Sequence, residues 1–125
     1  MSTKPSKDLQ SFDNPKPERD YEIFFDCPEF TCLCPATGQP DFATIRIRYI
    51  ADKKCVELKS LKLYFHAFRN EGMFFEAVTN KIRDDLARTM SPAWLQIVTD
   101  WKGRGGVKSR VIAPSGEVPA AFAAG

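Results

Sequence analysis

A single histidine, His66, is all the imidazole in this 125-residue chain. The four cysteines, Cys27, Cys32, Cys34 and Cys55, lack paired C-x2-C spacing, since the first three run C-x4-C-x-C. Zinc sites draw on Cys and His sets of regular spacing, so no metal is expected. The opening residues are polar and proline-bearing, without the apolar stretch of a signal peptide, and the even cysteine count is therefore not read as a disulfide framework. No apolar run approaches the roughly 20 residues that span a bilayer. A charge excess is missing too: 18 Lys and Arg against 16 Asp and Glu leave +2. That balance speaks against a general nucleic-acid or membrane binder. The expectation is a cytoplasmic, metal-free protein with no direct nucleic-acid partner and no membrane partner.

What is present divides into one domain and two tails. Residues 1–20 hold Pro5, Pro15 and Pro17 among polar residues, and residues 114–125 have no usable period; both read as flexible tails. The domain is then 21–113, a size that often gains stability by oligomerising. Residues 21–25 read as a short strand ended by Asp26, Cys27 and Pro28. Residues 42–50 alternate, with Ile45, Ile47 and Tyr49 on one face and Thr44, Arg46 and Arg48 on the other, the pattern of a half-buried strand. After a turn at 51–54, residues 55–58 read as a strand antiparallel to it.

The period then changes. Leu61, Tyr64, Phe65 and Phe68 form a helical stripe with Ser60 as its N-cap, and Phe74, Phe75, Val78, Ile82 and Leu86 form a second that stops at Ser91-Pro92. Residues 94–101 and 107–112 are strand-forming runs joined by the hairpin Lys102-Gly103-Arg104-Gly105-Gly106. Such a chain is α+β, a sheet with both helices on one face, and its other face needs a cover that a partner subunit could supply.

The run Phe30-Thr31-Cys32-Leu33-Cys34-Pro35-Ala36-Thr37-Gly38-Gln39-Pro40-Asp41-Phe42 is the least like packing. Core thiols sit inside apolar periodic segments, whereas Pro, Thr, Gly, Gln and Asp make a loop. A thiol on such a loop, with a carboxylate seven residues later, reads as a candidate nucleophile, while Asp41 taken alone reads as a turn or capping residue. Cys27, Cys32 and Cys55 read as packing thiols, His66 as structural or exposed, and Trp94 and Trp101 as strand packing.

That loop, together with Val56-Glu57-Leu58-Lys59-Ser60-Leu61-Lys62-Leu63-Tyr64 continuing into Phe68-Arg69-Asn70, resembles the NADPH-dependent 7-cyano-7-deazaguanine reductase (QueF) family, in its short single-unit form. The resemblance runs from about Tyr21 to Ile112. It implies a tunnelling fold, a four-stranded antiparallel sheet with two helices between its middle strands, in subunits arranged as a homo-oligomeric ring with sites between neighbours. It implies reduction of a nitrile to an aminomethyl group, with Cys34 attacking the nitrile carbon and Asp41 moving the proton. Substrate recognition would carry over to Val56, Glu57, Leu58, Phe75 and Glu76. NADPH would fall to Lys59, Ser60, Lys62 and Tyr64, with Arg104 a candidate for its 2′-phosphate. Phe75 stands where one form of the family's pattern has His, so a histidine hydrogen bond is lost and stacking remains. Two alternatives stay open: a non-reducing relative that transfers an amine instead of hydride, and a non-catalytic RNA-binding module using Arg104 and aromatics.

Overall fold

The computed structural model describes residues 4–123. In chain order the elements are β1 (Ser11–Asp13), β2 (Glu22–Leu33), β3 (Pro40–Ile50), β4 (Lys54–Val56), α1 (Leu58–His66), α2 (Phe75–Met90), β5 (Trp94–Arg104) and β6 (Val107–Pro114), with a 3-10 turn at Ala120–Phe122. Strands β2, β3, β5 and β6 form one antiparallel sheet in that spatial order, and β1 pairs separately with β4. The class is α+β. Among the described residues no helix is long and apolar enough to cross a membrane.

Alternation on β3 decides which face is covered. Ala43, Ile45, Ile47 and Tyr49 are buried and pair across to Trp101, Thr99, Ile97 and Leu95 of β5, which are buried as well. Leu61, Tyr64 and Phe65 of α1 and Val78, Ile82 and Leu86 of α2 pack into the same core, as the 3.6-residue stripe requires. Helix α2 ends at Ser91, whose left-handed φ of 46° precedes a proline that cannot continue the helix. The opposite face of the sheet is ionic: Arg46 and Arg110 both bond Asp100, and Arg48 pairs with Glu22 at 2.8 Å. Phe24 and Ile112 stand about half exposed beside these pairs.

Two strands carry an extra residue. Cys27 pairs with Ile45 but Phe30 with Ala43, so β2 bulges at Pro28-Glu29. Trp101 pairs with Ser109 but Arg104 with Val107, so β5 bulges at Lys102-Gly103. Because side chains alternate with a period of two, each bulge moves the following residues to the other face. Before the first bulge Phe25 and Cys27 pack toward the core; after it Phe30 and Cys32 do so, both buried. The first strand is thus longer than 21–25, since a bulge accommodates Pro28 within the sheet.

Three expectations are corrected. Residues 55–58 do not extend the main sheet: β4 is 54–56 and pairs with β1. Glu57, not Ser60, caps α1, its carboxylate accepting from Lys59 N and Ser60 N at 2.7 and 2.8 Å. Residues 1–20 are not wholly a tail, for Ser11–Asp13 forms β1 and Asn14 is buried, its Nδ2 donating to Asp52 O at 2.8 Å and its Oδ1 accepting from Tyr21. Polar composition hid this because backbone pairing needs no apolar side chain. At the other end Trp94 Nε1 donates to Gly116 O and Arg48 Nη2 to Phe122 O, so residues 116–122 fold back over the ionic face. Residues 1–3 and 124–125 lie outside the described part.

Candidate active site

Cys34 follows the last residue of β2 and opens a closed loop. Its N–H donates to Gln39 O and its carbonyl accepts from Gly38 N, both at 2.8 Å. Gly38 has φ +75°, the left-handed conformation that such a tight return needs and that Cβ-bearing residues rarely adopt. The return brings Thr37 and Ala36 close to the sulfur. The Thr37 hydroxyl, then the N–H groups of Thr37 and Ala36, hold the Cys34 thiol below its ordinary range, while burial and the charge of Asp41 work weakly the other way. Donors aimed at a sulfur favour its thiolate, the nucleophilic form. Cys34 is partly exposed.

The neighbouring thiols are of the opposite kind. Burial, then the charges of Asp41, Cys34 and Glu71, pushes Cys32 up to about 11. Burial and Asp26 push Cys27 likewise to about 11. Cys55 is buried, and all four are free thiols. Cys34 is thus shifted in the direction opposite to Cys27 and Cys32.

Asp41 pairs with Cys32 across the sheet and is 5% exposed. Its parity is that of Ala43 and Ile45, so its carboxyl lies on the helix side. Cys34 lies just past the end of β2, close enough for the charge of Asp41 to act on its sulfur. Arg104 reaches the same place through the second bulge, its Nε 3.2 Å from Asp41 Oδ1. Leu33 is pinned from the far side by Glu71 and Met73: Leu33 N donates to Glu71 O at 2.9 Å and Met73 N to Leu33 O at 3.1 Å. Gly72 packs on Pro35 so closely that an added Cβ would lie 3.4 Å from the Pro35 Cα.

Phe75 and Glu76 open α2 at this same end. The Phe75 ring stacks on Trp101 with centroids 4.0 Å apart and planes 8° from parallel, so one face of the ring is already occupied. Trp101 is fixed in turn by Nε1 donating to Thr99 Oγ1 at 2.8 Å, and Thr99 by Thr79 at 2.7 Å. Glu76 is exposed.

The other candidate residues gather elsewhere. Val56 is buried, and its N–H donates to the Tyr49 hydroxyl at 3.3 Å. That contact lies at the far end of β3 from Asp41, eight residues away, about 26 Å at the usual rise of a strand. Glu57, Leu58, Lys59 and Ser60 follow directly. The structure therefore brings Cys34, Asp41, Arg104, Phe75 and Glu76 to one end and Val56 to the other, while Leu58 lines the groove between β2 and α1.

The segment expected to hold the dinucleotide is only partly available. Tyr64 is fully buried and donates to Asp85 Oδ2 at 2.7 Å, so it is a core residue with no surface to offer a cofactor. Ser60 is buried, its hydroxyl accepting from Gln10 N and donating to Glu57 O. Lys59 lines a hollow of about 600 Å³ with Pro5, Gln10 and Leu63. Lys62 lines a different groove of about 370 Å³ between β2 and α1, with His66 and Arg69. Residues 4–10 lie against α1 at Ser60 and Leu63, on the side of Lys59. Among the described residues no group of three His, Cys, Asp or Glu side chains is placed to hold a metal.

Thr37, the first influence on the Cys34 sulfur, is the candidate-site residue that sequence reasoning missed. A hydroxyl three residues after a loop cysteine could have signalled it, since Thr commonly bonds locally within such turns.

Comparison with known proteins settles the family. A family model described as QueF-like protein matches residues 40–120. The chain belongs to the QueF-like family. A protein of Anaeromyxobacter sp. (strain Fw109-5), named NADPH-dependent 7-cyano-7-deazaguanine reductase, is 60% identical over 120 residues, 96% of this chain and 98% of its own length. One of the same name from Alkalilimnicola ehrlichii is 56% identical over 113 residues, 90% of this chain and 88% of its own. Among solved structures, the archaeosine synthase QueF-Like in the apo form superposes with a TM-score of 0.69 at 17% identity, covering 80% of this chain and 96% of that one. At that identity the likeness concerns the fold. It places this QueF-like chain on the same architecture.

Proposed function

We propose that this chain is an NADPH-dependent 7-cyano-7-deazaguanine reductase of queuosine biosynthesis, an oxidoreductase acting in the cytoplasm. The observation that carries its mechanism is the Cys34 sulfur, kept below the ordinary thiol range by Thr37 and Ala36 at the strand end that bears the buried Asp41. The Cys34 sulfur adds to the nitrile carbon while the Asp41 carboxylate takes the thiol's proton and passes it to the nitrile nitrogen as charge develops there, giving a thioimide. NADPH supplies a hydride to each of two successive reductions. After the first the carbon–sulfur bond breaks, Cys34 leaves as thiolate and an imine remains; after the second, with another proton, the aminomethyl product forms.

The residues present suit a dinucleotide phosphate. Lys59 and Lys62 are cations beside open hollows, and both stand in the first turns of α1. Glu76, exposed at the start of α2, accepts from the N–H and amino edge of a deazaguanine ring, and the free face of Phe75 offers a stacking surface. Glu57, by contrast, is held by the α1 backbone; Lys59 and Ser60 N–H groups, followed by nearby Lys59 and Lys62 charge, keep it below the usual carboxylate range against weak desolvation.

The separation of the two clusters argues for assembly. Val56 meets β3 at Tyr49, about 26 Å along that strand from Asp41, and a neighbouring copy would bring residues 56–60 to the sulfur. A tunnelling-fold ring, with the half-exposed Phe24 and Ile112 face covered inside the assembly, supplies that arrangement. Such head-to-tail contacts generate rings.

The test is NADPH oxidation on adding the nitrile, with Cys34→Ala as control. Nitrile-dependent oxidation that the substitution abolishes is the expected result. No oxidation by the intact protein would defeat the reading, and a covalent adduct indifferent to NADPH would favour a non-reducing, amine-transferring relative.

A further inference from the structure

Three groups of one short segment converge on a single guanidinium. Arg104 Nε lies 3.2 Å from Asp41 Oδ1, Nη1 donates to Gln39 Oε1 at 3.3 Å, and Nη2 donates to the Pro40 carbonyl. The next link is the Gln39 carbonyl, which accepts the Cys34 N–H. A planar fork therefore spans the exit of the nucleophile's loop and the carboxyl of the acid together. The Asp41 side chain is 6% exposed and that of Arg104 44%, so the contact is dry at the acid and wet at the arginine.

The placement is built into the sheet. Arg104 lies at the bulge of β5, and in an unbulged strand its side chain would fall on the face away from Asp41. Gly105 and Gly106, at φ +58° and +83°, turn the hairpin immediately beyond it. A guanidinium binds through a rigid fork of fixed geometry, which a flexible ammonium does not reproduce.

We propose that Arg104 is a positioning residue for the Cys34–Asp41 pair, not the ligand of the cofactor's 2′-phosphate. It fixes the acid and the loop of the nucleophile relative to one another before substrate arrives. This rests on the roles given above to Cys34 and Asp41. A phosphate could take the Arg104 fork only by displacing Asp41. Sulfur addition needs the sulfur and the proton donor aligned on the nitrile at the same moment, and small misplacements cost rate steeply.

The step Arg104 serves needs no cofactor, which separates the two roles. Wild type, Arg104→Ala and Arg104→Lys are mixed with the nitrile alone and adduct growth is followed by intact mass; the KM values for NADPH and NADH are then measured. Arg104→Ala should slow adduct formation on the order of 100-fold, the loss a misplaced reacting group brings. Arg104→Lys should recover only part of it, and the preference for NADPH over NADH should stay. Thermal midpoints within a few degrees of wild type show that both variants fold; if alanine does not, lysine carries the test. An adduct rate equal to wild type overturns the proposal, and a collapsed NADPH preference beside it assigns Arg104 to the phosphate. Wild type forming no adduct is a different failure, removing the roles of Cys34 and Asp41 themselves.

Discussion

Replacing Tyr64 by phenylalanine separates a structural tyrosine from a cofactor ligand. The hydroxyl is buried and donates to Asp85 Oδ2 at 2.7 Å. Burial and the Asp85 carboxylate push the phenol well above its usual range, so it stays a neutral donor. A hydrogen bond to a charged group contributes about 1.5–3 kcal/mol. Asp85 keeps Lys81 at 3.1 Å and Arg88 after the change, so it is not left bare. The loss should fall at the low end, about 1.5 kcal/mol, or roughly 6 °C in Tm for a domain of this size. Urea unfolding should show a lower midpoint at unchanged slope. The KM for NADPH should not move. An unchanged Tm with a severalfold higher KM would refute the reasoning and return Tyr64 to the cofactor.

Other outcomes follow from the same geometry. Iodoacetamide near neutral pH should add a single label, on Cys34, because Cys27 and Cys32 are held at about 11; Thr37→Ala should slow that labelling and move its pH midpoint upward, and equal labelling of several thiols would contradict it. Asp100 is held low by Arg110 and then Arg46; for Asp85 burial is the largest single influence and raises it, but Tyr64, Lys81 and Arg88 together outweigh it and hold it low. Depressed carboxylates contribute stability above their unfolded value, near 4, and lose it as pH falls through the folded one. Thermal midpoints should therefore stay level down to about pH 4 and fall below it, with Asp100→Asn flattening the fall. Finally, equal mixtures of Cys34→Ala and Lys59→Ala subunits, the second lacking a cation assigned to the dinucleotide, should regain about a quarter of wild-type activity at low NADPH after reassembly if neighbours share sites. No recovery would place both residues in one protomer.

The elements that bury one face were legible: the alternation of 42–50 became β3, and the stripes through Leu61 and Val78 became α1 and α2. What escaped was governed by backbone. Strand β1 forms at Phe12, half exposed, through pairing that side-chain pattern does not encode. The N-cap fell to Glu57 because its carboxylate reached two amides at once, although Ser60 is the commoner cap type. Neither bulge shows as a period, yet Pro28 inside a strand-like run and Gly103 before Arg104 are the residues that mark such breaks. In the candidate site Cys34 stood out by chemistry and Asp41 by resemblance, whereas Thr37 and the hold of Arg104 needed the loop closed in space.

Intact mass of the protein mixed with 7-cyano-7-deazaguanine and no reductant tests the central claim most directly. A gain equal to one nitrile per chain, located on Cys34 and absent from Cys34→Ala, is the predicted result. An unmodified mass, or an adduct on another thiol, would contradict it.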